Sequence, residues 1–445
     1  MRLRDQENIA TPIYLAYWPL RHHTALEGSR AAFPAAMRAV ARVWLVATCL
    51  FYACPVANAQ RSDRIAASFF GMHVLTFPES VAWPTVPFGA WRLWANGVTW
   101  PDIEPARGVW HFDRLDRYVT LAASSHLPLL LTLGMVPSWA SSAPETTCPF
   151  APYVVPGCTA PPRDVSDWRD YVRAVAERYR GRLTEYEIWN EPNTRLFYSG
   201  TTDELVALSC AAYRELKAVD PRIVVTSPAA SGGSDGVAWL DEFLAKGGGK
   251  CVDVIAFHFY VSPAPPEAMG KLIDDVRRVM GAHGIPGYPL WNTETTWMDP
   301  KPFPSESLSA AYVARAYLVA ASHGLQRFYW YGWARPSMDA FPSVFLNRED
   351  GMTRTLAGEA YTELQKWLVG ARLPLPCAPF GQGFWVCELG GSNRENRVIW
   401  RPDGSRTFTI PANWNARRIR DLHGAQQTVA PGASIVVGAM PVLVE

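Results

Sequence analysis

From residue 68 onward the chain alternates short apolar runs with longer stretches whose apolar residues recur at helical spacing. The runs are Ser68–His73, Ala90–Leu93, Leu129–Leu133, Glu185–Trp189, Ile223–Ser227, Val252–Phe257, Pro289–Asn292 and Arg327–Tyr331. Their length and β-branched or aromatic content suit strands buried on both faces. Between them, Ser166–Arg180 opens on a serine N-cap and then places Trp168, Val172, Val175, Ala176 and Tyr179 on one helical face. Glu204–Val219, Val237–Leu244 and Ser307–Ser322 read as helices too. Eight strand-like runs separated by helix-compatible segments predict an α/β fold, an eight-fold β/α (TIM) barrel. Periodicity alone leaves an open doubly wound sheet as the alternative.

After Trp367 the pattern changes. Pro374, Pro376 and Pro379 lead into alternating segments at Phe384–Leu389, Arg397–Trp400, Thr407–Ile410, Ser434–Val437 and Pro441–Val444, with turns at Gly390-Gly391 and Asp403-Gly404. Short strands with frequent turn signals predict a small β-sandwich. The expected division is therefore a barrel over residues 60–369 and a β-sandwich over 370–445.

The first 59 residues stand apart. Arg38 and Arg42, the apolar run Val43–Ala53 and the small residues flanking Asn58 in Ala57-Asn58-Ala59 make a secretory signal peptide over 37–59. Residues 1–36 lack periodicity and read as an upstream extension. With the signal removed, no later stretch is long and apolar enough to cross a membrane. Export puts six cysteines in an oxidising compartment, where disulfides are expected. The short loops favour Cys148 with Cys158 and Cys377 with Cys387, leaving Cys210 with Cys251; spacing alone does not fix connectivity. Secreted and periplasmic residence both fit.

Composition narrows the function. Forty-two basic against 41 acidic side chains leave a net charge of +1, without the basic footprint of a nucleic-acid binder. Nineteen tryptophans point instead to flat ligands on which aromatic rings stack.

The most specific stretch is Ile188-Trp189-Asn190-Glu191-Pro192-Asn193, where an apolar strand runs into a proline-broken loop. In a β/α barrel that is the catalytic end of the strand. A second carboxylate, Glu294, closes another run, Leu290-Trp291-Asn292-Thr293-Glu294. Two carboxylates at the mouths of separate strands can divide the roles of general acid and nucleophile, as glycoside cleavage requires. Two other chemistries have weaker footing. Gly232-Gly233-Ser234-Asp235-Gly236 matches the serine-hydrolase elbow, but Ser234 lies several loop residues past its strand. The histidines form no His-x-His or His-Glu-x-x-His metal motif.

With Asn190-Glu191-Pro192 and a glutamate about 100 residues later, the sequence resembles the retaining glycoside hydrolases of clan A, and family 39 in particular. Trp91-Arg92-Leu93-Trp94, Gly97-Val98-Thr99-Trp100, Gly108-Val109-Trp110, the stretch from Pro162 to Asn193 and Phe257-His258-Phe259-Tyr260 extend the likeness. That resemblance implies a (β/α)8 barrel with a C-terminal β-sandwich. It also implies cleavage of β-glycosidic bonds in oligo- or polysaccharides, with no cofactor or metal. By it Glu191 is the acid/base and Glu294 the nucleophile, and Asn190 meets the sugar 2-hydroxyl. Arg92 and Tyr260 hold the nucleophile, and His73 and His258 line the sugar pocket. Trp330 is its floor, with Trp139 and Trp297 as further platforms. Xylosides, glucans and a self-made exopolysaccharide are all compatible. A barrel that binds carbohydrate without cleaving it is the competing reading, and oligomeric state is open.

Overall fold

The computed structural model describes residues 64–74, 83–149, 154–297, 303–334, 344–390 and 395–445. The expected signal peptide and the extension before it lie outside these residues. Among those described, no helix is long and apolar enough to cross a membrane.

Nine parallel segments form one curled sheet: β1 (Phe70–His73), β2 (Ala90–Leu93), β3 (Leu129–Leu133), β4 (Glu185–Ile188), β5 (Val224–Thr226), β6 (Ala230–Ser231), β7 (Ile255–His258), β8 (Leu290–Thr295) and β9 (Arg327–Tyr331). Their order is β5-β4-β3-β2-β1-β9-β8-β7-β6. β5 and β6 are two halves of one stave, interrupted at residues 227–229. Bridges from Asn190 to Ala229 and from Thr226 to Val254 carry the pairing across that break. Eight staves thus close a barrel from the eight runs of the sequence. Each segment is short because both faces are covered, so the strand needs only enough length to cross the core.

Among the described residues, helices follow seven staves. After β2 come the single turn α1 (Trp100–Ile103) and α2 (Asp113–Ser124). Then follow α3 (Val165–Arg178), α4 (Thr202–Val219), α5 (Ser234–Ala245), α6 (Ala268–Ala282), α7 (Glu306–Ser322) and α8 (Leu356–Leu368). Asp164, not the expected Ser166, caps α3, its carboxylate accepting the Ser166 N–H at 2.8 Å. Thr201 and Glu204 close a capping box on α4. α5 begins at Ser234, three residues before the expected Val237, so the Gly-x-Ser-x-Gly serine belongs to an exposed helix start.

α7 is buried almost all round from Ala310 to Ser322 because the C-terminal sheets cover its outer face. Those sheets are a six-stranded antiparallel layer and a two-stranded one, packed over Phe384, Ile399, Phe408, Ile410 and Val437. The junction with the barrel is ionic as well as apolar. Arg315 of α7 forms a buried pair with Glu267, whose Oε1 also accepts the Trp400 indole N–H at 2.6 Å. Disulfides join Cys148 to Cys158, Cys210 to Cys251 and Cys377 to Cys387, the expected pairing.

Candidate active site

Side chains in a strand alternate between faces, so every second barrel residue points inward. Ala90, Leu130, Val254, Trp291 and Tyr329 fill a lower interior layer. Above it the interior turns polar at Arg92 of β2, Thr132 of β3 and Glu187 of β4, all buried. Arg92 organises this layer. Its Nε and Nη2 donate to Glu187 Oε2 at 2.8 and 2.6 Å, its Nη1 to Glu294 Oε2 at 2.7 Å, and Nη2 also to Asn190 Oδ1 at 2.8 Å. Thr132 adds a third donor to Glu187 Oε2, at 2.6 Å.

Two backbone irregularities lift the carboxylates above this base. At the end of β4, Trp189 (φ 68°) and Glu191 (φ 42°) both occupy the left-handed region, which bulky residues rarely adopt. Such residues cost on the order of 1–3 kcal/mol each and persist only when their surroundings hold them. Here the Trp189 N–H donates to Leu133 O at 2.8 Å and the Glu191 N–H to Ala229 O at 2.9 Å. Asn193 clamps the loop to β6 by a reciprocal pair with the Ser231 backbone. On β8 the pairing with β9 slips between Asn292 and Thr295, a bulge that re-aims Glu294.

The two glutamates and His258 each offer an atom within 4.8 Å of the others. The Glu191 Oε1 lies 2.8 Å from His258 Nδ1, and Tyr260 donates its hydroxyl to Glu294 Oε1 at 2.9 Å. His73 Nδ1 lies 3.6 Å from Glu294 Oε2, and His73 Nε2 is 3.2 Å from the Trp94 carbonyl. Burial alone raises a carboxyl, yet Glu294 is held well below the usual carboxylate range by His258, His73 and Arg92. His73 itself is lowered, mainly by burial, and stays neutral near pH 7. Burial and the two carboxylates push the Tyr260 phenol up, so it donates rather than ionises. Two carboxylates and a histidine can ligate a cation. The Arg92 guanidinium already occupies one oxygen of Glu294, at 2.7 Å.

Seven of the expected site residues therefore meet: Glu191, Glu294, Asn190, Arg92, His73, His258 and Tyr260. The three tryptophan platforms do not join them. Trp330 is fully buried on the outer face of β9, donates its indole N–H to Val344 O at 2.9 Å, and packs on Tyr317 of α7. Trp297, 2% exposed, stacks on Trp330 and meets Tyr312 edge-on. Trp139 packs against Trp100 of α1 under the Arg107 guanidinium, its indole N–H on Glu104 O. The inward neighbour of Trp330 is Tyr331, whose ring lies 5.0 Å from that of His73. Tyr331 and Glu187 are the site residues that the sequence reading missed. Glu187 left a signal: Glu185 and Glu187 alternate through an otherwise apolar strand, which places both inside the barrel.

Comparison with known proteins bears on the fold and the family. A β-xylosidase of Geobacillus stearothermophilus is 29% identical over 249 residues, 50% of this chain and 48% of that protein. The chain spans about half the length of the curated relatives it matches. Among solved structures, a family 39 glycoside hydrolase from Bacteroides cellulosilyticus superposes with a TM-score of 0.66 at 18% identity. That match covers 86% of this chain and 82% of that one. A monomeric β-xylosidase from Caulobacter crescentus gives 0.62 at 19% identity, covering 86% and 97%. Both share the fold. The sequence profile described as glycosyl hydrolases family 39 matches residues 102–351, more than half of the chain, and the protein belongs to that family.

Proposed function

We propose that the protein hydrolyses β-glycosidic bonds of an oligo- or polysaccharide with retention of configuration, Glu191 acting as acid/base and Glu294 as nucleophile. One observation carries this reading: a carboxylate oxygen of each glutamate lies within 4.8 Å of the other. Retaining glycosidases hold their carboxyl groups about 5–5.5 Å apart, whereas inverting ones need about 6.5–9.5 Å to admit a water. In the first step Glu191 gives its proton to the glycosidic oxygen while the Glu294 carboxylate attacks the anomeric carbon. The C–O bond to the leaving group breaks and a glycosyl-enzyme ester forms. In the second step Glu191 takes a proton from water, whose oxygen attacks the same carbon and releases Glu294 as the carboxylate.

The surroundings fit these roles. Arg92 and Tyr260 engage both oxygens of Glu294, keeping it ionised and aimed. Arg92 also takes the Asn190 Oδ1, which leaves the amide N–H groups for a sugar 2-hydroxyl, a contact that strengthens as the oxocarbenium ion develops. His258 Nδ1, 2.8 Å from Glu191 Oε1, fixes where the Glu191 carboxyl points. Xylosides are the first substrates to try, since the curated relatives carry the name β-xylosidase. The signal-peptide pattern and three disulfides favour export to an oxidising compartment. A domain division near residue 370 fits α8 ending at Leu368 and the first sandwich strand beginning at Ala378.

The test is hydrolysis of aryl β-glycosides by the wild type, Glu191→Gln and Glu294→Gln. Both variants should lose activity by orders of magnitude, with the anomeric configuration of the wild-type product retained by NMR. An inverted product, or a variant as fast as the wild type, overturns the assignment.

A further inference from the structure

We infer that Glu187 is a positioning residue for the reaction: through Arg92 it sets both the nucleophile and the Asn190 amide that meets the sugar 2-hydroxyl. The inference rests on the roles just proposed for Glu294 and Asn190. Glu187 lies four residues before Glu191 on β4 and does not itself reach the reacting atoms. It is completely buried, and its Oε2 alone collects Arg92 Nε, Arg92 Nη2 and Thr132 Oγ1.

A guanidinium is planar, so fixing two of its nitrogens fixes the third. With Nε and Nη2 anchored on one oxygen of Glu187, Nη1 has a single direction left, and that direction ends on Glu294 Oε2. The second proton of Nη2 ends on Asn190 Oδ1. The amide is thereby locked with its oxygen toward Arg92 and its nitrogen away, which no other hydrogen bond to the Asn190 side chain among the described residues enforces. Thr132 adds the rigidity: its hydroxyl holds Glu187 from β3, so Arg92 is braced by two adjacent staves.

If this is the role of Glu187, its loss is felt at the substrate's 2-position more than elsewhere. The test compares an aryl β-glycoside with its 2-deoxy analogue in the wild type, Glu187→Gln and Glu187→Ala, with thermal melting in parallel. The wild type should prefer the 2-hydroxy substrate in kcat/KM. In Glu187→Ala that preference should shrink about 10- to 100-fold, about 1.4–2.7 kcal/mol of lost transition-state discrimination. Glu187→Gln keeps an acceptor oxygen for Arg92 and should recover most of it. If Ala fails to fold, Thr132→Val, which removes the brace on Glu187, reads the same ratio and should shrink it in the same direction; an unchanged ratio there overturns the inference as well. A purely structural role would lower both substrates equally and leave the ratio unchanged; that outcome overturns the inference. Active Glu191→Gln or Glu294→Gln enzyme would instead sink the catalytic reading beneath it, so the two failures are told apart.

Discussion

The assignment of Trp330 to the outside of the barrel and Tyr331 to the inside is open to a direct stability-against-activity test. Trp330 is fully buried in the seam between β9 and α7, and its indole N–H satisfies the buried Val344 carbonyl. Trp330→Phe removes that donor and part of a ring. An orphaned buried acceptor costs about 1–3 kcal/mol. The missing ring volume adds roughly 1 kcal/mol more as an unfilled cavity, a fraction of the 3–5 kcal/mol of a full aromatic truncation. The sum, about 2–4 kcal/mol, should lower Tm by roughly 4–8 °C at about 2 °C per kcal/mol for a chain of this size. KM and kcat at 25 °C should stay within about twofold, since the indole does not face the cleft. Tyr331→Leu should do the reverse. It removes a ring 5.0 Å from His73, beside the carboxylates, and if a sugar stacks there an aromatic contact of about 0.5–1.5 kcal/mol is lost from the transition state, about 2- to 12-fold in kcat/KM, with a smaller change in Tm than in Trp330→Phe. The assay is differential scanning calorimetry beside steady-state kinetics on whichever aryl glycoside the wild type cleaves. A Trp330→Phe enzyme that melts normally but has lost activity would refute the strand parity and restore Trp330 as the sugar's floor.

Three further outcomes are expected. Because Glu294 is held well below the usual carboxylate value, the acid limb of kcat/KM should lie below about pH 4.5; Arg92→Met should raise it, read from the pH profile. The same shift means that ionised Glu294 stabilises the fold fully above the unfolded carboxylate range, and that this support is lost as pH falls below that range toward the lower value the carboxyl has in the folded protein. Replacing Cys148 and Cys158 by serine together opens a loop of sequence separation 10, costing about 2–3 kcal/mol by melting. It should raise KM as well, because the disulfide packs beside Trp94 and Met135 at the strand mouths; unchanged KM would argue against a wall of the cleft here. At the barrel–sandwich junction, Glu267→Met leaves Arg315 buried without its partner and should cost about 3–5 kcal/mol. The double variant Glu267→Met/Arg315→Met should recover most of that in the same calorimetric scan.

The barrel was legible because its signal is redundant: eight apolar runs each sit between helical patterns, and a slip of a few residues in any one leaves the count intact. The broken fifth stave shows the limit of that signal. Only Ile223–Ser227 reads as a strand, and Ala230-Ser231, which completes it, is too short to carry a pattern of its own. The carboxylates were legible because an ionisable residue at the end of an apolar run has few bland explanations. Parity was not. In Arg327-Phe328-Tyr329-Trp330-Tyr331 every aromatic is apolar enough for either face, since one face looks into the barrel and the other onto α7, and both are largely buried. Alternation therefore holds no information about which ring meets the sugar. At β4 the difficulty runs the other way. Strict alternation would send Asn190 and Glu191 to opposite faces, yet Arg92 holds one and His258 the other. The left-handed turns at Trp189 and Glu191 break the period of two there, and no residue in Trp-Asn-Glu-Pro has an intrinsic preference that announces them. That strain, paired with the bulge at Glu294, is where the fold departs from its own local rules, and the departure lies where two carboxylates must face each other.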